Sequence, residues 1–247
     1  MVNLSIIGRI ESCYKDKFGT PRQPGLVPLA EGKILIDAKW QPEISLQGLQ
    51  GFSYVWVIFL FHKNTNQRFH AKVHPPRLGG DSMGVFATRS PHRPNPIGLS
   101  LLKLESVHQD HLVVSGLDLI EGTPILDIKP YLSEVEGPLK TQQLNSTSVE
   151  GWVQSTEARK TWIFKWTTTA QTQLIDWQNQ YHRSRLQELI EQVIGQDPRP
   201  IIYKGYEGQA EGPYRQSHVV RLHEADIYFR YLTEEVIEIT SISIVDK

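Results

Sequence analysis

The first half of the chain consists of short apolar segments separated by turn-forming residues. Six of these segments either alternate between apolar and polar positions or run apolar over the length of a strand, and Gly, Pro, Asn and Asp lie at their ends. They predict strands at Ser5–Ile10, Lys33–Ile36, Ser53–Phe61, Met83–Thr88, Ile97–Val107 and His111–Leu119. The segment Ser53–Phe61 is apolar on both faces, so we expect it to be central in its sheet.

The second half has a different pattern. A polar stretch over residues 136–159 predicts a linker, and the only clear helical periodicity of the chain follows at Thr168–Gly195. We expect Gly195 to end this helix as its C′ residue, with Pro198 beyond it. Three later segments alternate as strands do: Ile201–Tyr203, His218–Leu222 and Ile227–Leu232.

These patterns predict a mainly β protein of two domains. Several short strands with turn signals favour a small β-barrel over residues 1–140, followed by a smaller α+β domain over residues 141–247. No G-x-G-x-x-G motif follows a predicted strand to open a helix. A doubly wound nucleotide-binding or methyltransferase fold is therefore not supported.

Composition indicates the class of protein. With 39% apolar residues in 247, the chain can form the core of a globular protein. The longest apolar run, Val55–Phe61, is far shorter than the roughly 20 residues that cross a bilayer, and the N-terminal residues lack a signal-peptide pattern. The single cysteine, Cys13, excludes an internal disulfide and a thiolate zinc cluster. We therefore expect a cytoplasmic protein that does not bind a membrane.

The charge is unevenly distributed, although the formal net charge is only −1. Between His62 and Leu104 there are seven Lys and Arg side chains and one carboxylate, Asp81. Such a basic window indicates a polyanionic partner, and scattered surface charge is the alternative.

The segment Met83–Ser100 has the composition of a binding loop. It contains three prolines, two arginines, an asparagine and two glycines between apolar residues. Prolines fix the backbone before any ligand binds. Arg89 and Arg93 then present planar guanidinium groups, which suit carboxylate or phosphate. The alternative is a proline-rich turn with solvated arginines.

Five motifs in order resemble one known family. They are YKDKFGTPRQPGLV at Tyr14–Val27, PPRLGG at Pro75–Gly80, ATRSPHRPNPIGLS at Ala87–Ser100, GTPILDIKPY at Gly122–Tyr131 and DPRP at Asp197–Pro200. The chain thus resembles the TsaA family, the TrmO-type S-adenosylmethionine-dependent tRNA methyltransferases. The resemblance implies methylation of N6 of N6-threonylcarbamoyladenosine beside the anticodon, by a homodimer with a cofactor pocket near the subunit interface.

The resemblance also implies which residues bind S-adenosyl-L-methionine. They are Pro21, Arg22, Gln23, His62, Lys63, Arg89, Leu99, Glu121, Gly122, Thr123 and Pro124. The residue types suit this role, because Gly122 permits close backbone approach and Pro124 stiffens the turn. The family commonly has Asp where this chain has Glu121. His62 could bind the cofactor or act as a general base, since its ordinary pKa is about 6.5.

The resemblance places three further residues beside the methyl-transfer centre. Asp127, Lys129 and Tyr131 are candidates to orient the nucleophile or accept its proton. A surface ion pair between the first two is the alternative.

The basic window supplies candidates for binding tRNA. Arg68, Lys72 and Arg77 could hold phosphates of the anticodon loop, together with Arg93 and, in the second domain, Arg199. Capping of helix carbonyls explains Arg199 equally well. We predict no metal site, because the chain around His70 and His74 leads into two prolines and no H-E-x-x-H or CxxC motif is present.

Two other functions remain open. The chain could be a non-catalytic RNA-binding barrel, although the PRQ and GTP turns are not needed for phosphate binding alone. It could also be an S-adenosylmethionine-dependent enzyme that acts on a small molecule, although the basic window would then have no role.

Overall fold

The computed structural model describes residues 3–64, 69–75, 81–136, 161–199 and 217–245. Its first part contains the strands β1 (Gly8–Ser12), β2 (Glu31–Ile36), β3 (Tyr54–Leu60), β4 (Lys72–Val73), β5 (Met83–Gly84), β6 (Ile97–Val107), β7 (His111–Ser115) and β8 (Pro124–Pro130). Six of them close into a barrel in the order β1-β2-β7-β6-β3-β8, and β4 and β5 form a separate two-stranded sheet. The short helices α1 (Pro42–Ser45) and α2 (Ser133–Glu136) lie in the connections.

β3 shows how the sequence pattern builds the barrel. Val55, Val57 and Phe59 are buried in its core, while the residues between them face outward. β3 pairs antiparallel with β6 on one side and β8 on the other. This confirms the expectation of a central strand, and it leaves an apolar outer face that the barrel itself does not cover.

Gly98 on β6 is required by the packing of the barrel. A Cβ atom at this position would lie 2.2 Å from the ring of Phe59, which occupies the barrel interior next to it. Any larger residue would displace a buried aromatic ring.

The second part is an α+β unit. It contains β9 (Ile163–Trp166), α3 (Thr168–Tyr181), α4 (Leu186–Ile194), β10 (His218–Leu222), β11 (Ala225–Tyr231) and β12 (Val236–Ile244). The sheet order is β10-β11-β12-β9; β12 and β9 are parallel and the other pairs antiparallel. No helix in the described ranges is long and apolar enough to cross a membrane.

The prediction of one helix over Thr168–Gly195 is wrong. His182 and Arg185 adopt left-handed backbone conformations, with φ of 50° and 57°, and these separate α3 from α4. The helical region does end at Gly195 as expected, because α4 stops at Ile194, but the φ of −64° at Gly195 is right-handed, so this glycine is the C-cap and not a left-handed C′ residue.

Several strand predictions are also corrected. The predicted strand Met83–Thr88 is a strand only at β5, because Val85–Ala87 forms a 3₁₀ turn closed by the Thr88 N–H on the Val85 carbonyl. β1 starts at Gly8 and β7 ends at Ser115, and four strands were not predicted: β4, β8, β9 and β12. The predicted strand Ile201–Tyr203 lies outside the described residues, as does the predicted boundary between residues 140 and 141.

The segment that follows β1 joins the two parts. Tyr14 pairs with Leu222 as an isolated bridge, and the His223 N–H donates to the Cys13 carbonyl at 2.7 Å. Phe18 stacks on His218 with the ring centroids 6.4 Å apart. A single hydrophobic core includes residues of both parts. The second unit therefore packs against the segment that leads into Pro21–Gln23 and holds it in place.

Candidate active site

Most of the residues that were predicted to bind the cofactor lie at one end of the barrel. β3 ends there and β8 begins, since Phe59 lies opposite Ile125. β6 also begins there, with Ile97 opposite Leu60. His62 and Lys63 follow β3, and the turn at Glu121–Thr123 leads into β8, so segments far apart in the sequence meet at this end.

The turn before β8 is held in place by hydrogen bonds from its backbone N–H groups to the segment around β1. The N–H groups of Glu121 and Gly122 donate to the carbonyls of Tyr14 and Ile10, at 2.7 and 2.9 Å. Gly122 has a φ of 72°, and a Cβ atom there would meet nothing within 4 Å. This glycine therefore permits the left-handed turn and leaves open space over it. Thr123 and Pro124 are buried, so they shape the turn from inside.

Glu121 connects this turn to Lys15, and Lys15 in turn is hydrogen-bonded to Lys63. Its Oε2 accepts hydrogen bonds from the Ser12 N–H at 2.6 Å and from Lys15 Nζ at 3.0 Å. Lys63 Nζ in turn donates to the Lys15 carbonyl at 3.0 Å. Lys15 was not among the predicted site residues, although it lies in the YKDKFG motif.

His62 lies among these cations. Partial burial of the ring, followed by the positive charges of Lys63 and Arg9, lowers the pKa of His62 below its ordinary 6.5. Its imidazole is therefore neutral near pH 7 and has a ring nitrogen able to accept a hydrogen bond or a proton.

The PRQ loop and the proline-rich loop meet beside the turn. Arg89 Nη1 donates to Gln23 Oε1 at 2.5 Å, and the Gly25 N–H donates to the Gly116 carbonyl at 2.9 Å. Pro21 is buried, whereas Arg22 is exposed. The structure thus brings Gln23 and Arg89, which are far apart in the sequence, into direct contact.

Arg93 holds the proline-rich loop together. Its Nη1 donates to the carbonyls of Thr88 and Val85 at 2.7 and 3.3 Å, and its guanidinium lies 5.8 Å from the centroid of Phe86. A phosphate would therefore meet a guanidinium that is already oriented by the loop.

A carboxylate that the sequence reading missed lies next to these loops. Asp118 follows β7 and accepts a hydrogen bond from Ser100 Oγ at 2.7 Å. Burial raises the pKa of Asp118 to about 6, and the Ser100 hydrogen bond and the positive charge of Arg89 oppose this effect. A single aspartate between apolar residues has no local sequence signal, so only the fold reveals it.

The predicted catalytic residues lie along β8. Asp127 is opposite Ile58, and Lys129 Nζ pairs with Asp127 Oδ2 at 2.9 Å with both side chains exposed. The Tyr131 N–H donates to the Tyr54 carbonyl at the far end of β3. Because a strand rises about 3.3 Å per residue, the six steps of β8 span roughly 20 Å, with the Gly122 turn before one end and Tyr131 after the other. Within one chain, Asp127 is the candidate nearest the turn.

Leu99 lies on the outer face of the barrel, on β6, which is separated from β8 by β3. It is paired with Ile58 in the sheet and its side chain is 53% exposed. Leu99 therefore lies on the outer surface of the barrel and not next to the Gly122 turn at the barrel end.

The predicted tRNA-binding residues are dispersed. Lys72 is exposed on β4, and Arg68 and Arg77 lie outside the described residues. Arg199 is only 5% exposed, is 2.7 Å from Asp197 Oδ1 and lies 3.2 Å from the ring centroid of Tyr231. This placement favours a structural role for Arg199, through ion pairing rather than helix capping. In the described part of the chain no three His, Cys, Asp or Glu side chains are grouped to hold a metal.

The described residues define a non-Rossmann β-barrel protein with a cluster of polar and cationic side chains at one barrel end. Family models identify it further: the tRNA-methyltransferase O N-terminal domain matches residues 9–137, and the TrmO C-terminal domain matches residues 160–245. The chain therefore belongs to the tRNA-methyltransferase O family. This confirms the predicted resemblance and the predicted enzyme class.

Individual relatives cover nearly the whole chain. The "tRNA (adenine(37)-N6)-methyltransferase" of Escherichia coli is 39% identical over 229 residues, which are 91% of each chain. The Pseudomonas aeruginosa protein named "Putative S-adenosylmethionine-dependent methyltransferase RcsF" is 36% identical over 98% of this chain and 97% of its own. The crystal structure of TrmO from Pseudomonas aeruginosa has a TM-score of 0.73 at 32% identity and covers 98% of this chain and 99% of its own. These matches confirm the mainly β barrel fold.

Proposed function

We propose that this protein transfers the methyl group of S-adenosyl-L-methionine to N6 of N6-threonylcarbamoyladenosine, next to the anticodon of tRNA. One observation carries the proposal: in a chain of this family, the PRQ loop, Arg89, the His62–Lys63 pair and the Gly122 turn lie around a single barrel end. The tRNA substrate makes the cytoplasm the expected compartment.

The chemistry of this barrel end fits the cofactor. The guanidinium of Arg89 and the ammonium of Lys63 suit a carboxylate, whereas Glu121 and Asp118 suit an ammonium group or a sulfonium. The open space over Gly122 suits an approaching ring. When bound, S-adenosylmethionine supplies an electrophilic methyl group on a sulfonium centre.

The residues of this chain then have to hold the acceptor nitrogen and take its proton. The lone pair of a carbamoylated nitrogen is delocalised, so a proton acceptor in the site would assist the reaction. His62 is neutral and Asp127 is the nearest carboxylate on β8, and we propose these two as the alternatives. Asp127 would act from the outer face of the barrel, as would Lys129 and Tyr131. Orientation of the reactants supplies much of the rate in either case.

We also propose that a second copy of the chain covers the outer face of β3, β6 and β8. Its apolar side chains include Leu99, which is 53% exposed, and Tyr54, which is 42% exposed. Trp56 and Tyr131 continue this face with their rings edge to face, 6.1 Å apart. An apolar face of this kind is typical of an interface. Since Leu99 and Asp127 lie on it, the partner would help to close the site.

The assembly is tested by sedimentation of the full chain. Leu99→Lys is expected to convert a dimer to a monomer, because it places a charge on the covered face. Ile44→Lys is the control, since Ile44 is 58% exposed on α1, away from this face. A monomeric wild-type protein, or a Leu99→Lys dimer as stable as the wild type, would contradict the proposed interface.

The activity is tested with two preparations of tRNA, from cells that contain or lack threonylcarbamoyladenosine. The purified protein and S-adenosylmethionine are added, and digested nucleosides are examined by mass spectrometry. We expect one added methyl, only on the hypermodified adenosine. Arg89→Ala should abolish it, and Lys165→Ala, which removes an exposed cation of the second unit, should not.

Two outcomes would contradict the proposed function. Binding of tRNA without methyl transfer and without cofactor affinity would indicate a non-catalytic RNA-binding barrel. Cofactor binding with no methyl on either tRNA would indicate an enzyme that acts on a small molecule.

A further inference from the structure

The proline-rich loop exposes an aromatic ring. Phe86 is 74% exposed, more than any other aromatic side chain among the described residues. The residue before it, Val85, is 1% exposed, so burial at this turn comes from Val85 and not from Phe86. A large apolar side chain that a fixed backbone holds in water indicates a binding site.

The turn that carries Phe86 is fixed by hydrogen bonds on both sides. The Thr88 N–H and the Thr88 hydroxyl both donate to the Val85 carbonyl, at 3.2 and 2.8 Å. The Val85 N–H donates to the carbonyl of Ala71, at 2.9 Å, which attaches the turn to the segment that leads into β4. Because this backbone is already held, little conformational entropy is lost when a ligand contacts Phe86.

A cation lies over the ring of Phe86. The guanidinium carbon of Arg93 is 5.8 Å from the ring centroid, and Arg93 Nη1 donates to the carbonyls of Thr88 and Val85. Both hydrogen bonds use the same nitrogen, and a guanidinium has five N–H donors. Arg93 is therefore held beside the ring with donors left to contact a phosphate.

The surroundings of the turn are also positively charged. Lys72 is exposed on β4 and lies opposite Gly84, two residues before Phe86. Asp81 is the only carboxylate in the sequence between residues 62 and 104. A flat apolar ring next to positive charges suits a ligand that combines an aromatic ring with negative charge, as a nucleotide does.

Phe86 is close to the candidate active site. It precedes Arg89 by three residues, so the two Cα atoms are at most about 11 Å apart. Arg89 in turn donates to Gln23 of the PRQ loop. An enzyme that modifies a base takes that base out of its stack, and the neighbouring base then lacks a stacking partner. An exposed aromatic side chain at this distance can replace that partner.

We propose that Phe86 stacks on an unpaired base of tRNA next to the methylated adenosine, and that Arg93 and Lys72 contact the phosphates beside it. The tRNA ligand rests on the proposed function. Phe86 contacts the substrate without taking part in bond making, so it contributes to tRNA binding. A second copy of the chain is the less favoured occupant, because this surface offers one ring among positive charges, unlike the apolar outer face of β3, β6 and β8.

The first test measures binding of tRNA that contains threonylcarbamoyladenosine to the full chain, by fluorescence anisotropy of labelled tRNA. Phe86→Ala should bind about tenfold to one hundredfold more weakly, because one base loses its stacking partner. Phe86→Tyr keeps an aromatic ring and should bind within about twofold of the wild type. Trp40→Ala is the matched control. Its ring also lies near a cation, 5.2 Å from Lys39 Nζ, but it follows β2 at the opposite end of the barrel.

A double-mutant cycle tests the contact itself. An abasic nucleotide is placed in the tRNA on one side of the methylated adenosine, and then on the other. On one of the two sides, this change should weaken binding to the wild type about as much as Phe86→Ala does, and it should not weaken binding to Phe86→Ala further. Additive losses on both sides would contradict the contact.

Kinetics and assembly separate this role from the alternatives. Phe86→Ala should raise KM for tRNA and leave kcat and the KM for S-adenosylmethionine nearly unchanged. Unchanged tRNA affinity would overturn the proposal. A loss of cofactor affinity in calorimetry would instead place the ring in the cofactor pocket, and conversion of a dimer to a monomer in sedimentation would place it in an interface between copies. Either result would also overturn the proposal.

Failure of the proposed function would look different. A protein whose tRNA binding depends on Phe86, but which transfers no methyl group, would refute the proposed reaction and leave the role of Phe86 intact. Methylation of threonylcarbamoyladenosine with the same KM for tRNA in the wild type and Phe86→Ala would support the reaction and refute the role of Phe86.

Discussion

Replacing Asp118 by Asn should stabilise the folded protein at neutral pH. The fold raises the pKa of this carboxyl from 3.8 to about 6, so ionisation of Asp118 is harder in the folded than in the unfolded chain. A difference of about two units corresponds to roughly 3 kcal/mol of unfolding free energy at neutral pH. Asn keeps an oxygen that accepts the Ser100 hydrogen bond and carries no charge to desolvate.

The sign of the pH dependence is fixed by this shift. A carboxyl with a raised folded pKa destabilises the protein fully above pH 6 and not at all well below pH 3.8. The advantage of Asp118→Asn should therefore be largest near pH 7.5, where it corresponds to a rise in Tm of roughly 6–12 °C, and should shrink as the pH falls through 6.

Urea unfolding of the cofactor-free chain at several pH values measures this difference. A variant that is less stable than the wild type at neutral pH, or whose advantage does not depend on pH, would refute the reasoning. A variant that gains stability and loses cofactor affinity would show that the buried charge is retained for the site rather than for the fold.

Two further predictions concern the fold. Gly98→Ala should cost about 1–3 kcal/mol because its Cβ would displace the Phe59 ring, whereas Gly84→Ala, with nothing within 4 Å, should be nearly neutral; equal unfolding midpoints for both would contradict the packing argument. Arg199→Ala should cost about 3–5 kcal/mol because it leaves Asp197 partly buried without its ion pair, and a stable variant that instead loses tRNA affinity would restore the predicted RNA contact.

The strands of the barrel could be predicted where burial shows in the order of apolar and polar residues. β3 is visible as a continuous apolar run, and the second half of β6 as an alternation of buried Leu102 and Leu104 with exposed Lys103 and Glu105. β8 was not predicted because prolines lie at both of its ends and charged residues interrupt its apolar residues. The break between α3 and α4 was not predicted because His182 and Arg185, which are not glycines, adopt left-handed backbone conformations there. Such conformations are set by the tertiary fold rather than by composition.

The site was predictable only as far as its motifs extend. Gln23 and Arg89 were assigned by resemblance, and the structure brings them into contact although they are far apart in the sequence. Asp118 and Lys15 were missed because each acquires its role from a distant partner, Ser100 for the first and Glu121 for the second. Charges that matter only in pairs leave no signal in a single sequence.

The most direct test of the central claim is to follow the methyl group itself. Deuterated methyl S-adenosylmethionine is incubated with the full chain and tRNA that contains threonylcarbamoyladenosine, and the product nucleoside is fragmented in the mass spectrometer. The account predicts that the label lies on N6 of the threonylcarbamoyladenosine and that Arg89→Ala abolishes it. Label on the ribose or on another base, or no label from a protein that binds the cofactor, would contradict it.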